Sequence, residues 1–590
     1  MLALANRTLV QSLISLLCRM ASVFLSDLDG DWIAPAQACT NPIFTGGAKD
    51  QEATGPSVPA SRNTRADVES AEVASKSEPA TRPTKKLTLQ LEADTAPRKP
   101  DLIKSVQGSG GATKAAVSVA DCLACSGCVT SAETVLITQQ SNETFNKALE
   151  SGTHNFIVLT MSTQSLASLA THLAVPLPRL NVLVAAFWRS RGVHLVTETS
   201  VAADLSLLEN AGEFVTRYRQ RRARPWGPPP ETSLAYSSGR VKYPDRDGQP
   251  VGSPGSTFRA AEEYDCLPML ASACPGWVCY AEKTQPNALP YISTAKSAQQ
   301  IMGELVKGQL SKEVTGAKSA YHVTVMPCYD KKLEASRLDF FHEEDDPGTV
   351  GAEVDLVLTT SEVLELIEAK ASSNGFGSDA LAYLESLPLV DASAEQGSML
   401  DLITNYNSFG VSAPKAELGG SGGYAEFIFR YAARELFGKS LPEPLAWEAG
   451  RNEDLKELIL RDDEGTVLLR FAMCYGFRNI QGVVNKMRRN ASPYEFVEIM
   501  ACPNGCLNGG AQIKAAGETN ALRKERVAAV QKTMIDGIVP REPQDSPLVR
   551  KLYASVLGGQ PFSDEARRLL HTTYHAVPKM ETIQPLGIKW

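Results

Sequence analysis

Thiols set in short turns rich in glycine and proline are the residues of this sequence best placed to do chemistry. Residues 121–129 read DCLACSGCV, a C-x-x-C-x-x-C run of Cys122, Cys125 and Cys128. Three thiols at this spacing can wrap three corners of one iron–sulfur cubane, and a fourth ligand then comes from elsewhere. Zinc sites more often use separated C-x-x-C pairs, so the run favours iron–sulfur over a zinc knuckle. Small Ala124, Ser126 and Gly127 let backbone N–H groups approach the sulfurs. The nearest candidate for the fourth ligand is Cys39, 83 residues upstream, which on spacing alone is as good a bystander as a ligand.

A second set is scattered along the chain. Cys274 lies in SACPGW, Cys328 in MPCYDKKLE, and Cys502 and Cys506 in EIMACPNGCLNGG. Pro503 and Gly505 favour a turn, and Gly509 and Gly510 permit close backbone approach. Each thiolate carries a negative charge, and burying four of them without a metal is costly. A cluster resolves that cost; four separate structural cysteines are the plainer alternative. Of the remaining cysteines, Cys18, Cys266, Cys279 and Cys474, the nearest to a ligand is Cys279, read as a packing residue on the helix WVCYAEK.

The elements that must hold these thiols are legible as apolar runs. Residues 155–161 (NFIVLTM), 321–326 (YHVTVM), 354–358 (VDLVL) and 494–500 (YEFVEIM) read as buried strands. Polar capping residues then open helices, STQS before LASLATHL and Thr359, Thr360 and Ser361 before EVLELIEA. Buried strands alternating with capped helices predict parallel α/β layers. Sites in such sheets gather beyond the carboxyl ends of strands. Cys328 and Cys502 follow two of the runs directly.

The chain has 590 residues, with 59 Lys and Arg against 67 Asp and Glu and a formal charge of -8. This excludes a dominantly basic, nucleic-acid-binding protein. No apolar run reaches the roughly 18 residues of a membrane span. Residues 1–19 read either as a weak transit segment or as a start assigned too early, Met20 opening a more ordinary sequence. Residues 20–43 carry Cys39, and residues 44–113 are an expected disordered insertion, poor in large apolar side chains. Residues 114–150 form the N-terminal cluster region and 151–515 the α/β body. Within it, 217–262 is read as an irregular insertion whose Arg217, Arg219, Arg221, Arg222 and Arg224 offer a basic patch, the plainer alternative being a solvated loop. Residues 516–590 are a C-terminal helical region and tail.

SACPGW (272–277), MPCYDKKLE (326–334) and EIMACPNGCLNGGAQ (498–512) resemble the three signatures around the active-site cluster of the iron-only hydrogenases. GGSGGYAE (419–426) resembles that family's glycine-rich turn before a helix. The resemblance spans about 115–515 and implies two α/β lobes with a cluster buried between them, plus a small ferredoxin-like region. The departures carry meaning. The hydrogenase pattern has a proton-relaying cysteine before the first ligand, and this chain has Ala273, which cannot exchange a proton. The family's glycine-rich ending appears as Gly509, Gly510, Ala511, Gln512 and Ile513, while Lys331 and Glu334 are kept.

These departures, with FLSDLDGDWIAPAQAC (24–39) ahead of the triplet, resemble a narrower group: the hydrogenase-like proteins of cytosolic iron–sulfur protein assembly, also called prelamin A recognition factor-like. The resemblance implies two 4Fe-4S clusters. Cys39, Cys122, Cys125 and Cys128 would hold the first, and Cys274, Cys328, Cys502 and Cys506 the second. It implies a cytoplasmic adaptor without hydrogenase activity, bridging an early P-loop NTPase scaffold to a late targeting complex built around a WD-repeat propeller. Trp590 would dock on that complex through its ring and terminal carboxylate, although Lys589 departs from the usual acidic or polar neighbour. Two rivals are an active iron-only hydrogenase and a nuclear lamin-binding protein.

Overall fold

The computed structural model describes residues 131–223, 266–316, 320–343, 350–389 and 412–577. The chain divides into two units, Thr40–Ala116 and the remainder, and the described residues all belong to the second. In chain order its strands are β1 (Ile157–Met161), β2 (Leu195–Glu198), β3 (Met269–Ala271), β4 (Tyr321–Met326), β5 (Phe341–Glu343), β6 (Val350–Ala352), β7 (Leu356–Thr359), β8 (Ser412–Pro414), β9 (Glu448–Asn452), β10 (Leu455–Arg461), β11 (Val467–Tyr475), β12 (Phe496–Met500) and β13 (Val539–Arg541). The four apolar runs thus become β1, β4, β7 and β12.

Two main sheets result. The first has the order β2-β1-β4-β7 and every pairing in it is parallel. All residues of β1 are buried, as a strand covered by helices on both faces requires. The second has the order β3-β12-β11-β10-β9, with β3, β12 and β11 parallel and an antiparallel β11-β10-β9 edge. Each sheet has its own core. Leu159, Phe187, Trp188 and Val325 centre the first. Phe214, Phe471, Phe496 and Trp277 centre the second, where Phe471 and Phe496 stack at 4.8 Å. These are the two expected α/β lobes.

Local chemistry starts the helices where the sequence places caps. Thr359 caps the helix Thr360–Ser373 in a capping box, its side chain accepting from Glu362 N while the Glu362 carboxylate accepts from Thr359 N at 2.8 Å. Ser162 caps Thr163–His172, its side chain accepting from Ser165 N without a reciprocal partner of the Glu362 kind. Among the described residues no single helix is long and apolar enough to cross a membrane.

One finding corrects an expected boundary. The helix Ser200–Ala223 continues six residues past the start of the segment read as irregular. Ala211, Phe214, Val215 and Tyr218 recur at helical spacing and bury in the second core, which carries the helix onward. Arg217 is therefore no loop residue. It is 2% exposed, pairs with Glu213 at 2.5 Å and donates to Ile292 O at 2.9 Å. Arg219, Arg221 and Arg222 continue the same helix, and Arg224 lies outside the described residues.

The C-terminal region is helical, and its helices are shared between the lobes. Val527, Val530 and Met534 of Asn520–Gly537 enter the first core. Leu548 and Leu552 of Pro547–Ser555, with Leu570 of Asp564–Leu570, enter the second. Polar pins reinforce this: Thr171 to Thr533 at 2.8 Å, and Tyr553 donating to the buried Glu209 at 2.5 Å.

Candidate metal centre

Cys328, Cys502 and Cys506 follow strands as the sequence predicts, and Cys274 follows β3, a short strand the sequence reading did not identify. Cys274 comes three residues after β3 and is the N-cap residue of the helix Pro275–Thr284, with Pro275 in its first turn. Ser272 fixes it: the hydroxyl accepts from Cys274 N at 3.0 Å and donates to Ile499 O of β12 at 2.6 Å. Cys328 follows β4 by two residues and precedes the helix Asp330–Ala335. Cys502 and Cys506 follow β12 in a turn whose Asn504 and Gly505 both have positive φ, 60° and 68°. Asn504 N donates to Asp454 Oδ1 at 2.7 Å and Gly505 N to Cys502 O at 3.1 Å, which holds the turn shut.

The lobes meet at this turn. Ala511 N donates to Pro327 O, Ser361 N to Ala511 O, and Gln512 Nε2 to Gln164 O. Gly509 is needed for that contact, because a Cβ there would lie 2.3 Å from Pro327 O. The departure from the hydrogenase ending at Ala511 therefore leaves the backbone seam intact, and Ala511 and the retained Gln512 are both buried.

Every pair among the four thiols interacts electrostatically. Burial pushes the Cys274 thiol up to about 12, with Asp330 and Cys506 adding to it. Burial likewise pushes Cys328 and Cys502 well above the ordinary thiol range, reinforced by Asp330 and the other thiols. Cys506 is also raised by burial, but Ser421 and Lys331 oppose the shift. Such a group ionises together only if a cation lies among its sulfurs. Among the described residues no three Cys, His, Asp or Glu side chains stand close enough for one metal ion.

Lys331 and Glu334 brace the site from behind. Lys331 Nζ donates to Glu334 Oε2 at 2.7 Å and to Ser297 Oγ at 3.0 Å, and Gln299 donates to the same carboxylate. Ala273 lines a cavity of about 20 Å³ with Cys274, Cys279, Arg337 and Tyr574, room for about one water. Cys279 sits on the helix Pro275–Thr284 as read. Burial raises its thiol to about 12, and Arg337 and Lys283, rather than the other thiols, are its leading charged neighbours. Cys474 is buried in β11 as a core residue.

Cys39, Cys122, Cys125 and Cys128 lie outside the described residues, as do residues 44–113 and Trp590. The described chain opens three residues after Cys128 with the helix Ser131–Gln139. That helix docks beside Cys328: Ile137 packs on Leu333, and Lys332 Nζ donates to Gln140 O at 2.6 Å. Lys283 adds an ion pair with Glu133 at 2.6 Å.

Sequence reasoning missed Asp330, Ser421, Tyr475 and the role of Glu498. Ser421 had a signal, as the one hydroxyl inside a run of glycines in GGSGGYAE. Tyr475 had none, because only the β11–β12 pairing brings it level with Met500.

Known proteins share this fold. The model of the iron-only hydrogenase large subunit, C-terminal domain, matches residues 256–510, and that of the iron hydrogenase small subunit matches 520–577. The second match covers the helices shared between the lobes. A structure of a variant of FeFe-hydrogenase HydA1 from Chlamydomonas reinhardtii aligns with TM-score 0.54 and 24% identity, over 74% of this chain and 99% of that one. Cytosolic iron-sulfur assembly component 3 of Mus musculus is 43% identical, over 81% of this chain and 87% of the relative. Protein NAR1 of Arabidopsis thaliana is 40% identical, over 79% and 88%. A probable cytosolic Fe-S cluster assembly factor of Anopheles gambiae is 35% identical, over 96% and 98%. With these identities over nearly the whole length of each relative, on a hydrogenase fold, the chain belongs to the family of cytosolic iron–sulfur assembly factors.

Proposed function

We propose that the chain is a two-cluster adaptor of cytosolic iron–sulfur protein assembly, acting in the cytoplasm and without hydrogenase turnover. Cys274, Cys328, Cys502 and Cys506 would hold one 4Fe-4S cluster at the lobe seam. Cys39, Cys122, Cys125 and Cys128 would hold the other in the region 114–150, with Cys39 reaching across the insertion 44–113. Bound clusters supply one-electron chemistry and a sulfide-bridged iron unit. The protein's residues fix four thiolates, exclude water and set the charge around them.

The observation that carries this reading is the set of four mutually coupled thiols drawn from both lobes, beside Ala273 instead of a relay cysteine. The docking of the helix after Cys128 against the residues after Cys328 supports two communicating clusters. In this reading the chain bridges a P-loop NTPase scaffold and a WD-repeat targeting complex, with Trp590 as the docking residue.

The test is an iron and acid-labile sulfide count on anaerobically purified protein, with an infrared spectrum of the same sample. The expectation is about eight irons per chain and no CO or cyanide bands. About four irons would remove one cluster from the proposal. Extra iron with those bands would mean a hydrogenase active site and overturn the adaptor reading.

A further inference from the structure

Behind Cys506 lies a line of buried polar groups that positioning the turn alone does not require. Ser421 is 1% exposed, and its Oγ accepts from Cys506 N at 2.8 Å. Its hydroxyl is also near enough to the Cys506 sulfur and to the Tyr475 oxygen to hold both groups' pKa values down. Gly505 makes this meeting possible: a Cβ there would lie 1.9 Å from Ser421 Oγ and 3.2 Å from Tyr475 Cε2. Tyr475 Oη in turn donates to Glu498 Oε1 at 2.8 Å, and Ala425 N donates to Glu498 Oε2 at 2.7 Å. The line therefore runs from a candidate ligand, through serine and tyrosine hydroxyls, to a carboxyl group in the middle of β12.

The hydroxyls can point only one way at a time. With Glu498 ionised, Tyr475 donates its hydrogen bond to the carboxylate and its oxygen draws the Ser421 hydroxyl away from sulfur. With Glu498 protonated, the carboxylic acid donates to Tyr475, Tyr475 to Ser421, and Ser421 to Cys506 Sγ. Burial pushes the Glu498 carboxyl up to about 7, against the opposing hydrogen bonds from Ala425, Tyr475 and Gly423. The charged and titratable groups facing it are Tyr475 from β11, Tyr424 and Glu426 from the helix Tyr424–Phe437, and Cys506 from the turn. Glu417 and Lys331 face the Cys506 end of the line.

We infer that Ser421, Tyr475 and Glu498 form a proton-responsive relay that couples the redox state of the site at Cys506 to pH. Ser421 is its positioning residue. The inference rests on the proposed cluster at the four cysteines. In the coupled step the site takes one electron from an external one-electron donor, and the Glu498 carboxylate takes one proton from water. A hydrogen bond to a ligand sulfur and removal of a nearby negative charge both raise the potential. The potential is therefore higher at acid pH and falls as pH rises through neutrality.

The experiment is a potentiometric titration, followed by electron paramagnetic resonance, of full-length holoprotein from about pH 6 to about pH 8.5. Cys122→Ala protein, measured in parallel, isolates the C-terminal signal. The wild-type potential is expected to fall with pH. Glu498→Gln is expected to hold it near the acid value with a flattened slope. Ser421→Ala is expected to shift it to more negative values with iron content unchanged, and Tyr475→Phe to weaken the slope while keeping the serine. A C-terminal signal whose wild-type potential does not move with pH overturns the relay, and that result needs no variant to fold. Iron analysis separates the two failures. A full cluster with a pH-independent potential sinks only the relay, whereas absence of the C-terminal cluster sinks the two-cluster reading and the relay with it.

Discussion

The two lobes contribute unequally to the candidate centre. The first, an all-parallel sheet, brings Cys328 alone, from the end of β4. The second brings Cys274, Cys502 and Cys506 from the ends of β3 and β12, which are neighbours in its sheet. Three thiols are thus fixed by one sheet's register, and the fourth depends on how the lobes close. Closure is made by backbone contacts, Ala511 on Pro327 and Ser361 on Ala511, together with the C-terminal helices that enter both cores. A site built across such a seam is sensitive to small changes in the seam as well as to loss of a ligand.

The sharpest way to break this comparison is to remove one ligand from each side. Cys502→Ala and Cys328→Ala are each expected to cost the C-terminal cluster's iron and about 3 kcal/mol of stability, because the thiolates left behind, Cys274 buried and the others half-buried, lose their counter-charge. Iron analysis with thermal melting checks this. Full iron and an unchanged Tm in Cys328→Ala would leave the second lobe as the sole owner of the site.

Gly509→Ala attacks the seam without touching a thiol. With its Cβ placed 2.3 Å from Pro327 O, it should cost about 2 kcal/mol and lower iron retention on dilution. Denaturant unfolding and timed iron release would show it; wild-type behaviour would mean that the seam yields freely.

A pH experiment probes the first lobe alone. Glu198, buried at the end of β2, has its carboxyl pushed by burial from 4.5 to about 8, although Asn181 donates to it at 2.7 Å. The folded state holds that proton and the unfolded state releases it near 4.5, so this contribution to stability is full below that value and is lost as pH rises towards 8. Glu198→Gln should reduce the slope of stability against pH in this window by up to roughly 1 kcal/mol per unit. Parallel slopes for wild type and variant would show that Glu198 is already ionised in the fold.

Two further substitutions have smaller effects on the body. Cys122→Ala should remove the N-terminal cluster's iron and leave the melting of the two lobes unchanged; unfolding of the lobes would contradict their independence. Cys279→Ala should leave iron content unchanged and shift stability by less than about 1 kcal/mol. A loss of iron would promote Cys279 to a ligand.

Much of this was legible in the sequence because strands buried on both faces leave unbroken apolar runs, and because turn residues mark their ends. β1, β4, β7 and β12 were read to within two residues, and the capping box at Thr359 follows from residue types alone. What escaped the reading were features settled by packing at a distance. The antiparallel edge of β9 and β10 carries ordinary alternating residues, half-exposed and weakly patterned. Arg217 looked like a loop residue because its neighbours in sequence are arginines, while Glu213 one turn back and the carbonyl of Ile292 bury it. The four thiols were named, but the support from Ser421 and Tyr475 depends on which strands pair.

The division of the C-terminal helices between the cores has a consequence for synthesis. The four cysteines of the seam, ending at Cys506, leave the ribosome before Leu548, Leu552 and Leu570, which complete the second core. Translation proceeds at about 5–20 residues per second, so for several seconds the nascent chain carries all four thiols on lobes that are not yet closed. The order of translation therefore leaves an interval in which the seam is still open, before the C-terminal helices complete the second core.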